Sequence, residues 1–119
     1  MKKTIVLGAS PNADRYSYRA VIALLSKGYE VVTIGIKTGN IESNPIINGT
    51  PDIDNVHTIT LYLNPSNQKL YYTYILKLQP QRVIFNPGTY NPELISLLKN
   101  NGIEVIQDCT LIMLSMGTF

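Results

Sequence analysis

The residues best suited to chemistry in this chain are small, hydroxylic or cationic, and they cluster near its start. Gly8-Ala9-Ser10 is followed, after a short turn, by Asp14-Arg15-Tyr16-Ser17. Gly8 and Ala9 let the backbone approach a ligand closely, and Ser10 and Ser17 offer hydroxyl donors. Arg15 adds a fixed cation and is better placed than Arg19. Set at the start of a helix, whose first N–H groups are unpaired and partly positive, such a group suits a phosphate. The loop is not GxGxxG, because no second glycine stands two places after Gly8. Nor is it a P-loop, because no Gly-Lys-Ser/Thr follows. The competing reading is a strand-to-helix turn that uses small residues only for packing.

A second cation sharpens the case. In NAD-binding domains an Asp or Glu at the end of the second strand holds the ribose hydroxyls. Here Lys37 stands at that place, and the nearest carboxylate, Glu42, lies further out. A cation there suits a ribose that carries an extra phosphate, as in NADP or coenzyme A; the bland alternative is a solvated lysine beside a loop.

The remaining candidates reduce mostly to structure. Cys109 follows a strand end, but the only histidine, His57, is expected at the opposite end of its own strand. Without a base nearby the thiol stays protonated. One His and one Cys cannot build a metal cage. Asp52 and Asp54 have no partner that would make them an acid/base pair. Tyr71, Tyr72 and Tyr74 could stack bases, but their helical spacing fits half-buried packing better, and an exposed member would suit a dimer contact. The apolar Leu111-Ile112-Met113-Leu114 is expected to pack on the sheet edge or to cover a partner subunit. No catalytic acid, base, nucleophile or metal ligand is assigned.

These residues need elements to hold them. Thr4-Ile5-Val6-Leu7 is a short apolar run, as in a strand buried on both faces. From about Ser17 the period becomes helical, with Tyr18, Val21, Ile22 and Leu25 on one face and Gly28 as the stop. Glu30 to Ile36 is a second strand. Lys37 to Val56, rich in Asn, Gly, Pro and Ser, reads as a long loop with at most one helical turn. His57 to Leu63 reads as a third strand, and Asn64-Pro65-Ser66 opens a helix that carries Tyr71, Tyr74, Ile75 and Leu78 and stops at Pro80. Arg82 to Phe85 is a fourth strand. Asn91-Pro92-Glu93 starts a helix with Leu94, Leu97 and Leu98 inside. Ile103 to Ile106 is a fifth strand, followed by a tail from Gln107 to Phe119. Alternating strands and helices imply an α/β fold, a three-layer Rossmann-like doubly wound parallel sheet of about five strands in the order 3-2-1-4-5.

Length and composition agree. A chain of 119 residues, 45% hydrophobic and 15% charged, makes one globular domain, residues 1–119. A net charge of +2 without a basic block argues against a nucleic-acid partner. A single Cys excludes an internal disulfide, and no apolar run reaches the ~20 residues of a membrane helix. The apolar stretch after Met1-Lys2-Lys3 is cut by Gly8 too early for a secretion signal, so a cytoplasmic location is expected.

The ordered series of motifs resembles the small CoA-binding proteins, single Rossmann-like domains similar to the N-terminal domain of the succinate–CoA ligase alpha subunit. Carrying the resemblance are Gly8-Ala9-Ser10, Arg15-x-Ser17, Gly28-Tyr29-Glu30-Val31, Lys37, Thr50-Pro51-Asp52-Ile53, Asn64-Pro65-Ser66, Asn86-Pro87-Gly88 and Gly102-Ile103-Glu104-Val105-Ile106-x-Asp108. The resemblance implies that coenzyme A, or an acyl-CoA, lies across the strand ends. Gly8, Ala9 and Ser10 would then face the pyrophosphate or adenosine, and Arg15 and Lys37 would meet phosphates. Asn64, Pro65 and Ser66 would border the nucleotide, and Gly88 would allow close approach. The family's arginine after the last acid is absent, since Asp108 is followed by Cys109-Thr110, and Asn86 stands where glutamine is usual. These departures bear on acyl chemistry more than on nucleotide binding. The expectation is a CoA-binding protein without catalysis of its own. The alternatives are a minimal NADP-binding oxidoreductase and an interaction subunit of a CoA ligase, the latter or a homodimer using the tyrosine helix and apolar tail.

Overall fold

In the computed structural model, which describes residues 2–119, Thr4–Leu7 forms the central strand β1, buried at every position. Its uncharged side chains, three of them β-branched, suit a strand covered on both faces. Helix α1 (Tyr16–Ser26) crosses back to β2 (Val31–Ile34), which pairs with β1 in parallel. Further on, β5 (Thr58–Leu61), β6 (Arg82–Phe85) and β7 (Glu104–Gln107) extend the parallel sheet on the other side of β1.

Between β6 and β7 runs α4 (Pro92–Asn100), capped by Asn91, whose Oδ1 accepts the N–H of Leu94 at 3.2 Å. The helical segment after β5 comes in three pieces: α2 (Pro65–Gln68), a 3₁₀ turn (Lys69–Tyr71) and α3 (Tyr72–Leu78). Its end is set by Gln79 in the left-handed region, just before Pro80. Alternate strand residues sort the core into two layers. Ile5, Leu7, Ile59, Leu61, Val83 and Phe85 pack against Tyr74, Ile75, Leu94 and Leu98. On the other face Val6 and Ile84 meet Val21, Leu24, Met113 and Leu114. The chain is therefore the expected α/β, doubly wound, three-layer domain.

Three details depart from the sequence reading. The third long strand, β5, sits directly beside β1, so the order in strand succession is 2-1-3-4-5 rather than 3-2-1-4-5. The reason lies in the segment expected to be a structureless loop. It folds into a hairpin, β3 (Asn40–Ile41) with β4 (Asn44–Pro45), and then straps the outer edge of β2. Ile47 accepts from Gly35 N–H at 3.0 Å and donates to Thr33 O at 2.9 Å. Thr33 Oγ1 donates to Pro45 O, and Asn48 Nδ2 to Gly35 O. With that slot filled, the third strand is left the far side of β1. The tail is also more ordered than expected: Thr110–Met116 is helix α5, which packs on α1 and buries Thr110, Met113 and Leu114. Among the described residues no helix is long and apolar enough to cross a membrane.

Candidate functional site

In such a sheet the strand order reverses at β1, between helices that leave on opposite faces, and the crevice beyond the strand ends is where ligands bind. The turn after β1 is built from the sheet itself. The N–H groups of Gly8 and Ala9 both donate to Ile34 O at the end of β2, at 2.8 and 2.9 Å. Gly8 has φ +99°, and a Cβ there would come within 2.9 Å of the Tyr62 carbonyl carbon. Only glycine accepts both conditions. On the other side, a Cβ on Gly35 would collide with Ala9 O. Small residues here let neighbouring strand ends touch, and the turn stays open above them.

Ser10 Oγ accepts the N–H of Asn12 at 3.2 Å, and Asn12 Oδ1 accepts that of Asp14 at 3.0 Å, which guides the chain into α1. Arg15 is the N-cap residue but makes no side-chain cap bond. The first N–H groups of α1 are therefore left to solvent or a ligand. Ser17 is buried as a residue and lines the crevice. Arg19 is turned away and lies over the ring of Tyr16, 5.4 Å from its centroid.

The result is an open cleft of about 450 Å³, within the ~300–1,000 Å³ range of small-molecule sites. Its floor and near wall are Gly8, Ala9, Ser10, Arg15 and Ser17; Ile36 and Lys37 enter from the end of β2. Its far wall is Tyr62-Leu63-Asn64 after β5, and Pro87-Gly88-Thr89 after β6. Arg15 and Lys37 are exposed, and among the described residues neither forms an ion pair.

Two buried amides fix the far wall. Gln68 is fully buried; its Nε2 donates to Leu63 O and to Thr89 O, each at 2.8 Å, and its Oε1 accepts from Asn91 Nδ2. One side chain thus ties together the loop after β5, the loop after β6 and the cap of α4. Asn86 does the same at the base of the sheet end. Its Nδ2 donates to Thr60 Oγ1 and Leu61 O, and its Oδ1 accepts the N–H of Thr110, the first residue of α5.

Of the residues expected from sequence, Gly8, Ala9, Ser10, Arg15, Ser17, Lys37, Asn64 and Gly88 come together around the cleft. Pro65 and Ser66 lie just outside its lining. Pro65 is the first residue of α2, and Ser66 Oγ donates to Asn64 Oδ1, which caps that helix by accepting Asn67 N–H. Sequence reasoning passed over Tyr16, Ile36, Tyr62, Leu63, Pro87 and Thr89. The strand-end rule itself was the signal for Tyr62 and Leu63. Ile36 was marked only by being an apolar residue beside a lysine.

Burial pushes the Tyr62 hydroxyl up to about 12, so it is a neutral donor and no base at physiological pH. Among the described residues no carboxylate, imidazole or thiol lines the cleft. Cys109, a free thiol, follows β7, whereas His57 precedes β5 at the other end of the parallel sheet. Among the described residues no group of His, Cys, Asp and Glu could hold a metal.

Fold and cleft together define a parallel α/β domain of minimal size with an open crevice beyond its strand ends. The family model for the CoA binding domain matches residues 2–115, and the chain belongs to that family. A crystal structure of an uncharacterized protein is 54% identical, with a TM-score of 0.98 over 100% of this chain and 98% of that one. The cell-free ID.343 structure from Thermus thermophilus is 23% identical with a TM-score of 0.86, covering 99% and 90%. A conserved hypothetical protein from Pyrococcus furiosus is 23% identical with a TM-score of 0.81, covering 94% and 98%. These last two share the fold. No match is found among curated proteins.

Proposed function

We propose that the protein binds coenzyme A or an acyl-CoA in this cleft and does so without catalysis of its own. The observation that carries the reading is an open cleft at the reversal point, lined by small residues and by two cations that no acid neutralises. The pyrophosphate lies over the uncapped start of α1, within reach of Ser10, Ser17 and Arg15. Gly8 and Ala9 contribute room rather than donors, since both amides are already bonded to Ile34. Lys37 meets the phosphate on the ribose. Asn64 and Gly88 border the nucleotide on the far wall. Among the described residues the polar side chains of the lining are hydroxyls, one amide and two cations, which supports a binding role. The free thiol of Cys109 suits the reducing cytoplasm, where we place the protein.

A thermal-shift panel of CoA, acetyl-CoA, NADP, NAD and ATP tests the reading. A ligand that binds the folded state raises the melting temperature. CoA and acetyl-CoA are expected to give the largest shifts. A larger shift with NADP would replace this reading with the nicotinamide one.

A further inference from the structure

The cleft is not alone at this end of the sheet. A shallower depression of about 210 Å³ lies over the ends of β6 and β7, and Pro87 and Gly88 line both. A Cβ on Gly88 would meet nothing within 4 Å, so the saddle between the two is open. Resting on the coenzyme A reading above, we propose that this depression receives the thiol end of the bound molecule. There it selects a free thiol or a neutral acyl group over acyl groups that end in a carboxylate.

Direction comes from the strand order. Arg15 and Lys37 sit at the β1 and β2 ends, so the phosphates lie on that side. The order β2-β1-β5-β6-β7 leaves only one way for the rest of the ligand to run across the strand ends. At ~4.8 Å per strand, the step from β1 to the gap between β6 and β7 is about 12 Å. An extended pantetheine arm is long enough to cover it.

Selectivity comes from charge. Tyr90, more than half exposed, gives the depression aromatic surface, and Gln107 an amide. The amide of Asn86 is spent inside the fold. Asp108 is the sole charged residue of the lining and is exposed. One of its oxygens accepts the N–H of Cys109 at 2.7 Å, and among the described residues the other has no hydrogen-bond partner. A terminal carboxylate placed here meets a like charge with no lysine or arginine in the lining to offset it. At ~5 Å in water-like surroundings that repulsion weakens binding about four-fold.

The test is calorimetric titration of CoA, acetyl-CoA, succinyl-CoA and malonyl-CoA at low ionic strength. Succinyl-CoA and malonyl-CoA are expected to bind about four-fold more weakly than acetyl-CoA. The gap should shrink in ~1 M salt, where charges are screened within ~3 Å, and close in Asp108→Asn, which keeps the oxygen that accepts Cys109 N–H. The salt series stands by itself should that variant not fold. Equal affinities for all the thioesters, or a gap that survives salt or Asp108→Asn, overturn the selectivity while leaving CoA binding intact. Failure of CoA and every thioester to bind overturns both readings together.

Discussion

Replacing Lys37 with alanine separates a phosphate-reading lysine from a solvated one, provided two ligands are compared. CoA carries the ribose phosphate, and dephospho-CoA lacks it. Lys37 lines the cleft, is exposed, and has no acidic partner among the described residues. Because it is exposed, water's dielectric applies, and one unit charge at ~4 Å contributes about 1 kcal/mol. A phosphate monoester carries a charge of about −1.5 to −2. Screening over a Debye length of ~8 Å at physiological salt returns the sum to about 1 kcal/mol. Lys37→Ala should therefore weaken CoA binding about five-fold and leave dephospho-CoA within two-fold of its parent value. Titrations of both ligands against both proteins, at low and physiological salt, measure this. An equal loss for the two ligands would show that Lys37 shapes the cleft instead of reading the phosphate. No loss for either would remove the lysine from the site.

Three further outcomes test the architecture. Gly8→Ala forces a side chain into φ +99° and toward the Tyr62 backbone; urea unfolding should show a loss of about 2–4 kcal/mol, and a loss below ~1 kcal/mol would contradict the close approach. Gln68→Leu strips partners from Leu63 O, Thr89 O and Asn91 Nδ2; about 3 kcal/mol should be lost in the same assay, with CoA affinity falling as the far wall loosens, and an unchanged midpoint would refute it. His57 titrates below its ordinary 6.5, because burial and then the nearby Arg82 and Lys2 charges disfavour its cation. The unfolded chain thus takes up a proton first, and this contribution is fully present above pH 6.5 and lost as pH falls through the folded value. Stability measured from pH 7 downward should decline less steeply in His57→Asn, and parallel curves would exclude the histidine.

The elements that depend on local chemistry were legible in the sequence. Asn91-Pro92-Glu93 and Asn64-Pro65 announced helix starts, and both asparagines cap as their types require. Thr4–Leu7 reads as a strand because no charge interrupts it, and Arg82–Phe85 because three apolar residues follow a single charge at its start, a charge the fold buries. The strand order was not legible, because it depends on which side of β1 remains open once residues 40–48 have occupied the β2 edge. That occupation is made of backbone bonds around Ile47 and of single side-chain bonds from Thr33 and Asn48, which leave no side-chain period to read. The near wall of the cleft could be read from Gly8, Ser10 and Arg15, since the chain itself turns there. Of the far wall, Asn64 and Gly88 could be read, but the meeting of Leu63 with Thr89 could not, because it is made by Gln68, a residue whose type suggests a surface position and which is wholly enclosed.

The strap across β2 also bears on how copies of the molecule avoid one another. An open sheet presents a row of unpaired amides and carbonyls along each flank, and a flank of that kind can recruit a strand from a second chain. Here Pro45, Ile47 and Asn48 occupy one flank. Among the described residues only β7 remains bare, and it is four residues long with Glu104 and Gln107 exposed at its ends. A short, polar margin of that sort makes a poor template for fibrous growth, so the segment that precedes β5 shields a sheet edge as well as setting strand order.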